Sequence, residues 1–323
     1  MPRLRWPGVG VVVLSAALVA SACGDDTSEQ AQPQGVPVVV VTTGIWADVV
    51  DNIACQGGVR IEQLVPTGGD PHSYEPSMAD RATTEDAVLV VANGLALEEG
   101  LDDTLDAVEG DGTPVFRVAE HVDAIEYAGG HDDEHDDHAE DDPHGHEGDD
   151  PHVWFDPIRV AGVLPELGDE LAARAGLDAG EVADCVDRYA SALAEVDAEI
   201  SALVQSIPAE NRKLVTSHDS LGYFADRYGF DLVATVSPAS SGLAEMDLRH
   251  LDELKQVLEA TGVRAIFAET QHSSDDAETL ADQLEGVEVV TLYTGSLGEP
   301  GSGADTYIGL LRTNATLIAE ALA

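Results

Sequence analysis

The chain has 323 residues, room for one large domain or two ordinary ones, and at 44% hydrophobic but 5% aromatic its cores must be built mostly from Val, Leu, Ile and Ala. Lys plus Arg number 15 against 62 Asp plus Glu, a formal net charge of −47. So acidic a chain attracts cations and repels polyanions, which excludes sequence-independent nucleic-acid binding, since that needs a basic face.

Residues 1–22 read as a secretory signal outside the fold. Arg3 and Arg5 make a positive start, Val9 to Ala20 a short apolar core, and Ala20-Ser21-Ala22 a small-residue cleavage site. The apolar run is shorter than the roughly 20 residues a membrane span needs. Ala20-Ser21-Ala22-Cys23 resembles a bacterial lipobox, with Ala20 where Leu is usual, and predicts a lipid on Cys23. An ordinary signal with an incidental cysteine is the alternative. Residues 23–35 are then a polar tether.

From there, strand and helix patterns alternate. Val38–Val41 is a continuous β-branched run, as in a buried parallel strand, and Pro37 suits its start. Thr43 is placed to cap a helix carrying Ile45, Val49 and Ile53 on one face. Residues 59–65, 87–92 and 113–118 supply further strands. Val182, Cys185, Tyr189, Leu193, Val196, Ile200, Leu203 and Ile207 form one apolar stripe over about seven turns, a single long helix. The alternation then restarts, with strands at 214–216, 232–236, 264–268 and 287–292 and helices at 221–228, 247–260, 275–284 and 305–322. The expected fold is α/β: two βα-alternating lobes with parallel-type sheets, 36–160 and 211–323, joined through a helical region 161–210 whose long helix 182–207 restricts hinge motion.

Besides Cys23, the cysteines are Cys55 and Cys185. Outside the cytoplasm an even pair suggests a disulfide; two buried thiols are the alternative. Residues 131–150 hold 11 acidic residues and five histidines with no Lys or Arg, and read as a solvated loop. It is either a solubilising insert or a weak zinc collector using His131, His135, His138, His144 and His146.

Three segments carry chemistry: Gly68-Gly69-Asp70-Pro71-His72, Asp150-Pro151-His152-Val153-Trp154-Phe155 and Thr216-Ser217-His218-Asp219. The first and third put a His just beyond a predicted strand, the edge where open α/β sheets bind ligands. Two lobes facing across that edge bring His72 and His218 into one cleft, and His152 arrives on the linking segment. Three neutral imidazoles form a recognised zinc set. A lone loop His is more often a surface residue, but Pro71 and Pro151 stiffen the backbone before two of these. Trp46, Trp154 and Phe155 read as packing residues and His250 as a surface one; nothing in the spacing promotes His121 or His272.

GGDPHSYEPS, DPHVWFDP and SHDSLGYFADRYGF, with FAETQHS and GADTYIGLLRTN later, resemble the histidine motifs of the ZnuA/TroA-like family of metal-binding proteins of bacterial ABC importers, from about Pro37 to the end. That resemblance implies two α/β lobes joined by one long helix, with the metal between them on His72, His152 and His218. A His at the third position is similar to the zinc-type members; manganese-type members place a carboxylate there, which suits harder ions. Many members add an Asp after the last strand, where this chain has Gly295. Glu269 is the nearest alternative, as a fourth ligand or as a partner orienting a His; a water is another. The implied function is capture of Zn2+, as transported ligand, by a monomer lipid-anchored to the outer face of the cytoplasmic membrane, for delivery to a permease and its ATPase. Competing readings are a zinc-dependent hydrolase, which uses three His and an open position but here lacks HExxH, an envelope zinc buffer or adhesin, and manganese as the cargo.

Overall fold

The computed structural model describes residues 35–127, 148–237 and 248–323. The signal segment, Cys23, the tether up to residue 34, the acidic loop up to Glu147 with its five histidines, and the side chain of His250 lie outside the described residues.

The first lobe is built on four parallel strands: β1 (Val38–Val41), β2 (Arg60–Gln63), β3 (Leu89–Ala92) and β4 (Val115–Arg117), in the order β2-β1-β3-β4. β1 and β3 lie inside the sheet, and Val39 to Val41 and Leu89 to Ala92 are all buried. That burial on both faces is why these segments read as unbroken apolar runs. β2 is an edge strand. It alternates Arg60 and Glu62 with Ile61, and Leu64 and Val65 prolong its pairing through backbone bonds to Val41 and Thr42, 2.9 Å each.

The second lobe repeats the plan. β5 (Lys213–Thr216), β6 (Asp231–Thr235), β7 (Ala265–Glu269) and β8 (Glu288–Leu292) are parallel, in the order β6-β5-β7-β8. In both lobes the chain starts inside the sheet, steps to one edge, then returns across the starting strand. The expected α/β class with two parallel-sheet lobes is the fold found.

Helices cover the sheets: α1 (Gly44–Ile53), α2 (Met78–Glu85) and α3 (Glu99–Gly110) in the first lobe, then α4 (Pro157–Ala175) and α5 (Ala179–Val204), then α6 (Gly222–Tyr228), α7 (Leu248–Thr261), α8 (Asp275–Ala281) and α9 (Tyr307–Leu322). Thr43 stands at the start of α1, but its side chain makes no capping bond; its carbonyl instead accepts from Ala47, 3.0 Å. The long helix runs 179–204 rather than 182–207. Asp178 accepts from Gly180 and Glu181 at its start, and Ile207 is carried in a turn beyond its end, still buried. The stripe marks the buried face of that helix, while capping chemistry sets its ends.

Two helices fill the connecting region, and the long one joins the lobes. α4 starts on an Asp156 cap with Pro157 in its first turn, and ends at Gly176, whose φ of +67° gives the left-handed stop. It packs along α5, and α5 also packs against α1 of the first lobe and α9 of the second. Cys55, just beyond α1, is disulfide-bonded to Cys185 on α5, Cα to Cα 5.7 Å.

Candidate metal centre

Each of the three histidines sits beyond the C-terminal end of a strand or on the segment between lobes, two of them fixed through their own backbone N–H and the third through its ring. His72 follows β2 by way of a turn in which Asp70 Oδ1 accepts the His72 N–H (3.0 Å) and Asp70 Oδ2 accepts the Ser73 hydroxyl (2.6 Å). That turn is tied across the cleft, since Gly68 N–H donates to Ser296 Oγ (2.8 Å).

His152 is held by the same device, one step stronger. Asp150 Oδ1 accepts its N–H (2.9 Å) and also faces its Nδ1 (2.7 Å). The Pro151 carbonyl accepts from Asn93 Nδ2 (2.8 Å), and Trp46 Nε1 donates to Asn93 Oδ1 (3.1 Å), so the segment is anchored to the first lobe. On the other side Tyr223 donates to the Asp150 carbonyl (2.9 Å) and Trp154 Nε1 to the Thr294 carbonyl (2.9 Å), anchoring it to the second. Gly222 is required here: a Cβ on it would lie 2.4 Å from Asp150 Oδ2.

His218 follows β5 directly. Its Nδ1 faces Glu269 Oε1 at 2.5 Å, and Glu269 Oε2 accepts from the Thr294 hydroxyl (2.6 Å).

These supports turn three Nε2 atoms toward one point. His72 to His152 measures 3.2 Å and His152 to His218 3.3 Å. A tetrahedral zinc with bonds of about 2.0–2.1 Å needs nitrogens about 3.3 Å apart. All three side chains are buried, so an ion among them is shielded from solvent. Burial, and then the other imidazoles, hold His72 and His152 well below the usual histidine range. Both are neutral and ready to ligate at pH 7. For His218 burial pulls the same way, but the charge and hydrogen bond of Glu269 outweigh it and the net shift is upward. Burial would raise Glu269; His218, by charge and hydrogen bond, and the Thr294 hydroxyl bring it down to about 2. Asp150 is raised by burial to about 7 despite the N–H of His152. The two carboxylates thus stand behind two of the imidazoles, the arrangement that fixes a tautomer and raises ligand basicity.

Glu269 comes to the site as a partner of His218, with one oxygen on Nδ1 and the other on Thr294. Gly295 lies against the His72 turn, where a Cβ would be 3.1 Å from Pro71 Cδ, and it has no side-chain ligand atom. Trp46, Trp154 and Phe155 are fully packed. His121 is elsewhere, stacked on Phe116 (4.3 Å) and paired with Glu166 (3.1 Å). His272 lies beside the centre, its ring 6.0 Å from that of His218. Sequence reasoning missed Asp150, Asn93 and Thr294. The repeated Asp-Pro-His held the signal for the first, since an Asp two residues before a His can accept its N–H.

With the geometry in place, the chain can be set beside known proteins. A family profile described as zinc-uptake complex component A, periplasmic (ZnuA), matches residues 39–321. The chain belongs to the ZnuA family. The zinc-binding protein TroA of Treponema pallidum is 30% identical over 306 residues, 92% of each chain. The manganese-binding lipoprotein MntA of Bacillus subtilis is 29% identical, over 98% of this chain and 99% of its own. The solved structure of the Treponema pallidum periplasmic zinc-binding protein TroA superposes with a TM-score of 0.78 at 29% identity, covering 90% of this chain and all of that one. As a ZnuA-family member the chain is a metal-binding, substrate-binding component of an importer and not an enzyme, which removes the hydrolase reading.

Proposed function

We propose that this ZnuA-family chain captures Zn2+ outside the cytoplasm, held to the outer face of the membrane by a lipid on Cys23, and delivers it to the permease and ATPase of an ABC importer. One observation carries the reading: three buried Nε2 atoms converge at tetrahedral spacing, and two of the rings are backed by carboxylates. His72, His152 and His218 are the ligands in this reading, and Glu269 and Asp150 orient His218 and His152. A water completes the four-coordinate set, since Gly295 supplies nothing.

Zinc is favoured over manganese by the donor set. Three imidazoles and no coordinating carboxylate suit a borderline ion, whereas Mn2+ prefers oxygen. The names of similar proteins include both metals, so the donor chemistry supports the choice. Competition titration with a fluorescent chelator tests it. Zn2+ binds the intact chain far more tightly than Mn2+, and His152→Ala weakens zinc binding by more than about 100-fold, beyond what loss of an orienting partner alone would do. Unchanged zinc affinity in His152→Ala defeats the site, and tighter binding of Mn2+ defeats the choice of metal.

A further inference from the structure

A buried ion needs a way in. The three ligands are at most 8% exposed, and the protein holds a second group of metal-ligating atoms beside them. One ligand atom each of His218, Glu269 and His272 lie within 4.8 Å of one another. The two groups share His218, and the outer one reaches the surface through His272, which is partly exposed while His218 and Glu269 are buried. The turn bearing His272 is fixed. With its amide oriented to satisfy its neighbours, Gln271 accepts from the N–H groups of Gly295 (2.7 Å) and Ser296 (2.6 Å).

We propose that His272, Glu269 and His218 form an outer metal position, a stopping place through which Zn2+ passes between solvent and the three-histidine centre. The inference rests on the capture function above. His218 is the pivot because its two nitrogens face different ways: Nε2 toward His152, Nδ1 toward Glu269. At the outer position the ion binds Nδ1, and the single imidazole proton sits on Nε2. When the ion moves inward it binds Nε2, and the proton returns to Nδ1, where Glu269 accepts it. No net proton is lost by the ring. Filling both positions at once would strip the ring of its last proton, so the chain holds one ion across the two.

A stopping place alters rates and leaves the equilibrium between free ion and inner centre unchanged. In the full chain, His272→Ala is expected to keep the zinc Kd while slowing capture and release to a chelator alike, by about tenfold, or about 1.4 kcal/mol of barrier. His272→Asp, which keeps a ligand atom, restores both rates. Rates unchanged in His272→Ala would overturn the proposal, as would a weakened Kd with faster release, the mark of an ordinary fourth ligand. A second measurement uses Co2+ alone. Visible absorption from weakly bound Co2+ should persist in His72→Ala/His152→Ala and disappear when His272→Ala is added; identical spectra would overturn it. Failure here is distinct from failure of the capture reading, which would show as unchanged zinc affinity in His152→Ala.

Discussion

Glu98 and Glu269 both stand beyond the middle of the third strand of their lobe, Glu269 as the last residue of β7 and Glu98 in the loop between β3 and α3, and each is buried to within a few per cent. Their surroundings drive them apart. Glu98 accepts from the Thr42 hydroxyl (2.5 Å), the Asn93 N–H (2.8 Å) and the Gly94 N–H (3.2 Å), and burial still raises its pKa. Glu269 meets an imidazole and is brought down to about 2. Neutral donors relieve a buried carboxyl without fully compensating its charge, while a partner that can become cationic does so. Glu98 organises the strand-end turn that carries Asn93, and through it the His152 backbone. Glu269 acts on the ring of His218 itself, a ligand in the proposed function.

The contrast can be broken at either end. The largest effect is expected from Glu269→Gln, which leaves His218 without its carboxylate and should weaken zinc binding by about 10–100-fold in chelator competition. The same affinity as the unaltered chain would show that His218 needs no orienting partner.

The next effect is in pH. His218, whose pKa Glu269 raises against the pull of burial, takes up a proton from above the usual histidine range, and Asp150 does so as the pH falls through about 7. Metal on Nε2 of His218 expels the first proton, and an Nδ1–H of His152 facing a charged Asp150 disfavours the second. Affinity is therefore full on the alkaline side and falls with acid, with a slope of log affinity against pH approaching about two once both groups are protonated. His72 and His152, held low by burial, add to the slope only at more acid pH. In Glu269→Gln the His218 contribution should move to lower pH. Titrations at stepped pH read both, and a slope that begins only below about 6, under the usual histidine value, would contradict the ordering.

The smallest effect on binding is expected at Glu98. Glu98→Gln turns an N–H donor toward the Gly94 or Asn93 N–H, and an unsatisfied buried group costs about 1–3 kcal/mol of stability in thermal or denaturant unfolding. Zinc affinity should change much less than in Glu269→Gln. An equal loss in both variants would erase the distinction between the two glutamates.

Much of the fold was legible because parallel strands buried on both faces need apolar runs, as in Val38–Val41 and Leu89–Ala92. α5 was legible from a stripe that a helix must bury. Its ends were not, because Asp178 and the turn to Ile207 set them through single hydrogen bonds rather than periodicity. α4 stayed merged in a helical region because its start and stop rest on single residues, Asp156-Pro157 and Gly176, rather than on periodicity. At the centre, the three histidines announced themselves by motif. Glu269 was legible as a carboxylate following a strand, whereas Asn93 and Thr294 reach the site through strand order, which brings β3 beside β1 and β8 beside β7. Spacing gave no reason to promote His272 over His121 as a neighbour of the cleft, and the turn after β7 sets its ring near His218.

X-ray absorption at the zinc edge, on the full chain loaded with one equivalent, tests the central claim most directly. The expected result is a four-coordinate ion with three imidazole nitrogens at about 2.0–2.1 Å, falling to two in His152→Ala. A six-coordinate, oxygen-dominated shell, or an imidazole count that His152→Ala leaves unchanged, would contradict capture by His72, His152 and His218.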